Sequence, residues 1–117
     1  MNKEELRLRT KAFALRVLKL IRALPKEIGA KAVAGQLVRS GMSVGANYRA
    51  SLRGRSRAEW LSKLNICLEE SDECEHWMEL IIEDGMLPVK RVEPLLNEAA
   101  ELTAIFAAAI KTGRNEK

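Results

Sequence analysis

The chain is short of the residues that interrupt helices. In 117 residues it has three prolines and seven glycines, and aromatic residues make up only 4% of the whole. That composition excludes a turn-rich sandwich or barrel and suits an all-helical protein. No segment alternates with the period of a strand, and there is no low-complexity tract.

Membrane and secretory features are also missing. The longest apolar run, LTAIFAAAI, is short and alanine-rich, well under the roughly 20 residues of a membrane span. The opening MNKEELRLRT is charged and lacks the apolar core of a signal peptide. The two cysteines, Cys67 and Cys74, are seven residues apart. On one helix that is about 10 Å, too far for a disulfide. They are expected to be reduced, semi-buried small hydrophobes. Together these features lead us to expect a cytoplasmic protein with no membrane partner.

Catalytic signatures are scarce. His76 is the sole histidine, and neither cysteine has a base placed beside it in a recognisable triad. Phosphate loops, dinucleotide-binding glycines and zinc-protease motifs do not occur. Glu73 and His76 form one Glu-x-x-His pair, but di-iron bundles need two such pairs with two further glutamates. We therefore expect no metal, no cofactor and no enzymatic activity.

What is present is helical periodicity. Leu6, Phe13, Val17, Leu20, Ile21 and Leu24 recur at three- and four-residue spacing, predicting a helix over 3–24 that ends near Pro25. A second stripe, Ile28, Val33, Leu37, Val38, Met42, Val44 and Tyr48, predicts a helix over 26–52. Its Gly29, Gly35, Gly41 and Gly45 each cost up to about 1 kcal/mol against Ala, which suggests a neighbouring helix packed very close. Ser56 and Glu59 match a capping box, each side chain serving the other's backbone amide. They open a helix over 57–84, striped by Trp60, Leu64, Cys67, Leu68, Ser71, Cys74, Met78, Ile81 and Ile82. Gly85 is its natural stop. Pro88 opens a last helix over 88–112, with Val92 to Ile110 along its apolar side, Gly113 at its end and a frayed tail RNEK. Four helices with short links imply one domain over 1–117, an antiparallel up-down-up-down four-helix bundle.

Charge is distributed unevenly. Residues 1–57 hold 14 Lys/Arg against 3 Asp/Glu, a net +11, while residues 58–117 hold 6 against 13, a net −7. Such polarity fits a polyanion partner or the meeting of opposite faces of two copies. The densest positive stretch is SVGANYRASLRGRSRAEW. If the helix ran through the link, Arg49, Arg53 and Arg57 would stack at i, i+4 and i+8, with Lys31, Arg39 and Arg55 adding to the same end. Guanidinium forks suit phosphate, so Arg39, Asn47, Arg49, Arg53, Arg55, Arg57 and Lys63 are candidates for contact with RNA or DNA. Tyr48 could stack on an exposed base or pack on a neighbouring helix. No groove-reading motif appears, so contact would be through shape and phosphate. The competing expectation pairs Arg49 and Arg53 with Glu69 or Glu73 across a subunit interface.

Residues 36–82, QLVRSGMSVGANYRASLRGRSRAEWLSKLNICLEESDECEHWMELI, resemble the core of the four-helix bundle family also called the 23S ribosomal RNA intervening-sequence proteins. The likeness extends to the opening FALRVLKLIRALPKE and the closing EAAELTAIFAAAIK. It rests on the combination of Gln36, Arg39, Ser40, Ser43, Asn47, Arg55-Ser56, Glu69, Glu70, Asp72, Glu73 and Trp77. Many members carry Ser-Ile-x-x-Asn-Ile-Ala-Glu-Gly, where this chain has Ala50 at the acidic position, Ser51 in place of the glycine, and an added Arg49. The loop is thereby more basic. The resemblance implies an antiparallel bundle assembled as a cyclic homopentamer with a central channel. It also implies a nucleic-acid-binding role and a likeness to the accessory proteins of diversity-generating retroelements, which work with a reverse transcriptase. A protein–protein adaptor that docks such an enzyme is the alternative it carries. A ring needs one face to complement a different face of the next copy, and the two charged halves offer that.

Overall fold

The computed structural model describes residues 1–115. Four helices follow one another: α1 (Lys3–Arg22), α2 (Ile28–Leu52), α3 (Arg57–Glu83) and α4 (Val89–Asn115). They pack antiparallel, each on its neighbour in sequence, and α1 closes the bundle against α4. The result is a rod of 49 × 20 × 20 Å.

The helix ends follow from local chemistry. Asn2 caps α1 by accepting from the Glu5 amide at 2.8 Å. Glu4 and Glu5 in the first turn and Lys19 and Arg22 in the last complement the helix dipole. α2 begins at Ile28 rather than Lys26, because the Glu27 carboxylate accepts from the Gly29 and Ala30 amides at 3.1 and 2.6 Å. Ser56 caps α3 as expected, accepting from the Glu59 amide at 3.1 Å. The return bond differs from the expected box: Glu59 accepts from the Arg55 amide, at 3.1 Å, one residue before Ser56. Gly85, at φ 76°, ends α3. Its amide bonds the Ile82 carbonyl at 3.1 Å and the Met86 amide bonds that of Ile81 at 3.0 Å, the pairing of a Schellman stop.

The last helix does not end at Gly113. It continues to Asn115, and Gly113 is buried inside it. A Cβ there would lie 2.5 Å from the Trp60 ring and 2.9 Å from Leu61. Glycine at 113 is thus a packing residue, letting α4 lie against the start of α3. Glu116 and Lys117, the end of the expected tail, lie outside the described residues. Pro94 sits in the second turn of α4, where it has no N–H to give the Lys90 carbonyl.

The core is built from Phe13, Val17, Leu37, Val44, Leu64, Met78, Ile81, Leu102 and Phe106, all essentially inaccessible. Three residues of the expected α2 stripe are outside it: Ile28 is 87% exposed, Met42 50%, and Val38 is half-buried away from the core cluster. Thr10, Ser40, Ser51 and Ser71 are buried in their place along the helix interfaces. Each hydroxyl bonds a carbonyl of its own helix three or four residues back, so none is an unmet polar group. The close-approach reading of the α2 glycines holds for two of the four. A Cβ at Gly41 would be 2.9 Å from Val17, and one at Gly45 3.3 Å from the Thr10 carbonyl oxygen. Gly35 faces open space, and Gly29 touches only its Glu27 cap. Among the described residues no helix is long and apolar enough to cross a membrane.

Candidate nucleic-acid interface

Antiparallel packing brings four helix ends together at one pole of the rod: the start of α1, the end of α2, the start of α3 and the end of α4. Arg53 is the C-terminal cap of α2, its amide bonded to the Ala50 and Ser51 carbonyls. Gly54 makes the turn tight. A Cβ there would be 3.2 Å from the Ser51 oxygen and 3.3 Å from the Trp60 nitrogen. Arg55 follows, and Ser56 starts α3. The link therefore displays Arg49, Arg53, Arg55 and Arg57, all exposed, within a few residues.

The pole collects further cations that the local sequence around the link does not reveal. Lys3 at the start of α1 shares a cleft of about 380 Å³ with Ser51, Leu52, Gly54, Ser56, Arg57 and Trp60. Lys111 and Arg114 arrive on the last turns of α4. The Arg57 guanidinium donates from Nη1 to the Gly113 carbonyl at 3.0 Å, tying α3 to the end of α4. Two of the acids at this pole are engaged locally, Glu4 with Arg7 at 2.6 Å and Glu59 in the α3 cap, while Glu5 is exposed in the first turn of α1. Among the described residues Lys3, Arg49, Arg53, Arg55, Lys111 and Arg114 make no ion pair. Cations at the C-terminal ends of α2 and α4 also complement the negative pole of each helix dipole.

Several expected site residues lie elsewhere. α2 stops at Leu52, so Arg49, Arg53 and Arg57 are not one helical stack. Arg39 and Lys31 belong to earlier turns, about 21 and 33 Å from Arg53 at 1.5 Å per residue. Arg39 is already paired: Nη1 donates to Glu70 at 2.9 Å and Nη2 to Glu73 at 2.5 Å. The Arg39 guanidinium, and then the Trp77 indole N–H at 3.0 Å, hold the Glu73 carboxyl below its ordinary range. Glu73 is thus occupied within the chain, while Glu69 is exposed. Tyr48 is 4% exposed, its ring 6.0 Å from that of Phe106, and burial raises its pKa. It cannot stack on a base without leaving the core. Asn47 donates to the Ser43 carbonyl and hydroxyl at 2.9 and 2.8 Å, a bond within α2. Lys63 is half-buried on the second turn of α3.

The remaining chemistry is structural. Cys67 and Cys74 are fully buried, not partly so, and point at α2: one thiol donates to the Val44 carbonyl at 3.5 Å, the other to the Ser40 hydroxyl at 3.4 Å. Burial pushes both thiols up to about 12. Glu73 and His76 have no companions: among the described residues no three His, Cys, Asp or Glu gather as metal ligands. Two polar links went unforeseen in the sequence. Arg9 grips Glu98 with two bonds of 2.7 Å across the α1–α4 seam. Thr103 on α4 meets Ser71 at 3.0 Å and Glu75 at 2.8 Å on α3.

The model of the 23S rRNA-intervening sequence protein family matches residues 4–108. The chain belongs to that family. A crystal structure from Bacteroides thetaiotaomicron, described as a protein of unknown function from the S23 ribosomal protein family, is 32% identical. The match covers 95% of this chain and 99% of that one, with a TM-score of 0.87. No curated protein matches. Family membership and the bundle agree with each other, and the fold of this family is what brings the four helix ends, with their cations, to one pole.

Proposed function

We propose that this chain is a non-enzymatic bundle that assembles as a homo-oligomer in the cytoplasm and binds RNA or DNA through the basic pole, mainly by phosphate contacts. The single observation that carries this reading is the convergence of Lys3, Arg49, Arg53, Arg55, Lys111 and Arg114 from different helix ends, none of them in an ion pair among the described residues. Exposed, unneutralised guanidinium groups suit phosphate, which they bind bidentately. Withdrawal of Tyr48 into the core removes the stacking element, so backbone charge dominates the contact. The buried, protonated thiols support the non-enzymatic part, since the thiolate is the nucleophile. The five-membered ring is the expected assembly, and it would multiply phosphate affinity by avidity.

A structured RNA hairpin titrated at several salt concentrations tests this. About four phosphate contacts give a log–log salt slope between about −3 and −4. No binding at 50 mM salt, or binding indifferent to salt, sinks the phosphate model.

A second reading, a protein–protein scaffold whose arginines serve subunit contacts, draws on the acidic outer face of α3. Glu69, Asp72, Glu79 and Glu83 are exposed there and make no ion pair among the described residues. Sedimentation of Arg53→Glu/Arg55→Glu separates the two. A monomer assigns the arginines to the interface, and an intact assembly that no longer binds RNA assigns them to the ligand.

A further inference from the structure

Bordering the pole and sharing Arg49 with it, α1 and α2 leave a groove between them of about 250 Å³. Its character differs from that of the basic pole. Ala14, Gly45 and Ala46 keep it open, where the α2 backbone comes close enough to Thr10 that a Cβ at Gly45 would be 3.3 Å from its carbonyl oxygen. Leu18 and Met42 supply apolar surface, and Met42 is 50% exposed. Arg7, Lys11 and Arg49 complete the lining. Beside it on α1, Leu8 and Leu15 are 51% and 60% exposed. Large apolar side chains left in water in such proximity mark an interaction surface.

From this groove we infer a docking site for an acidic amphipathic helix of a partner protein. The groove follows α1 from Arg7 to Leu18, about 16 Å or three helical turns. That length receives apolar anchors at i, i+3/i+4 and i+7, the helix-in-groove mode of recognition. The cations in the lining select for glutamate or aspartate flanking those anchors. Lys11 and Arg49 have no acidic partner among the described residues to compete. Phosphate backbone is a poor occupant, because it gains nothing from Ala14, Leu18 or Met42. A second copy of this chain is a poor one too. Its acidic helix α3 exposes one large apolar residue, Leu80, and α4 one, Val89, so neither presents an apolar ridge. The inference gives the scaffold reading a surface, one that meets the basic pole at Arg49 but has its apolar floor, Ala14, Leu18, Met42 and Ala46, outside it.

The test uses the full chain and a fluorescein-labelled, side-chain-stapled helical peptide of about 12 residues, with leucines at i, i+3, i+4 and i+7 flanked by glutamates. Binding should exceed that of a scrambled peptide, and of one with Lys for Glu, by at least about tenfold. Ala46→Gln, at an exposed helical site and without change of charge, should weaken it at least about fivefold while structured-RNA affinity stays the same. Met42→Gln is the second variant, should Ala46→Gln fail to fold. Equal binding of the scrambled or lysine peptide overturns the proposal, as does indifference to both variants. So does a fall in the sedimenting mass of either folded variant, which would make a second copy the occupant. Phosphatidylserine vesicles that bind in a groove-dependent way when the peptide does not would also overturn it.

Discussion

Arg39 lies in the middle of α2 and Arg53 caps its end, about 21 Å further on. Both are exposed arginines on one helix. Arg39 faces the acidic flank of α3 and meets Glu70 and Glu73. Arg53 lies at the pole, where the neighbouring helix ends bring Lys3, Arg57, Lys111 and Arg114, and where Glu4 and Glu59 are held in local bonds. The charge asymmetry of the sequence is therefore resolved in two ways. On the sides of the rod Arg9 and Arg39 are paired across helix seams, and at one pole cations gather that make no ion pair among the described residues. An arginine's availability to a ligand depends on which helix it faces, not on its density in the sequence.

The largest expected effect should break the pole and leave the sides alone. Arg53→Glu/Arg55→Glu should lower structured-RNA affinity more than about thirtyfold at 50 mM salt, measured by fluorescence anisotropy. Its urea midpoint should stay at the wild-type value. Gly113→Leu attacks the packing that assembles the pole, by forcing a side chain into Trp60. It should cost about 2 kcal/mol in urea unfolding and weaken RNA binding together with stability.

A smaller effect tests a side pairing. The Arg9 guanidinium holds the Glu98 carboxyl below its ordinary range. A depressed folded value means that the pairing's contribution is complete above the unfolded value of about 4.3 and fades as pH falls through the folded value. Glu98→Gln should cost about 1 kcal/mol at pH 7 and flatten the loss of stability between about pH 5 and 3, followed by urea midpoints across that range. The smallest expected effect is on the other paired arginine: Arg39→Ala should change RNA affinity by less than about twofold. A loss as large as that at Arg53 would erase the distinction between sides and pole.

Much of the bundle was legible because its signals are local. Ser56 three residues before Glu59, and Gly85 at the end of an apolar stripe, mark helix ends through bonds made within one turn. Ile28 and Met42 misled for a physical reason. α2 is rich in small residues, so more than one of its faces reads as apolar and periodicity cannot choose between them. Gly113 misled because glycine serves both as a helix stop and as a site of close approach, and only the Trp60 ring distinguishes the two. Site residues were harder still. The arginines of the link were visible as a run, yet Arg39 reaches acids 31 and 34 positions away, beyond any spacing rule. Lys3, Lys111 and Arg114 could have been added from topology alone, since an up-down bundle must bring the first and last helix ends to the α2–α3 link.

The sealed thiols have a practical consequence. With Cys67 and Cys74 enclosed against α2 and held protonated well above neutral pH, the surface of the folded chain offers maleimide nothing to react with. One cysteine introduced at Asp84, beside the turn at the opposite pole, would then be the only thiol to take a dye at neutral pH, with both native cysteines left in place. Mass spectrometry should show a single adduct on the folded variant and three after denaturation in urea. A reporter placed there sits a full helix length, about 40 Å for the 27 residues of α3, from the arginines of the link. Fluorescence could thus follow binding at the basic pole from a position that does not disturb it.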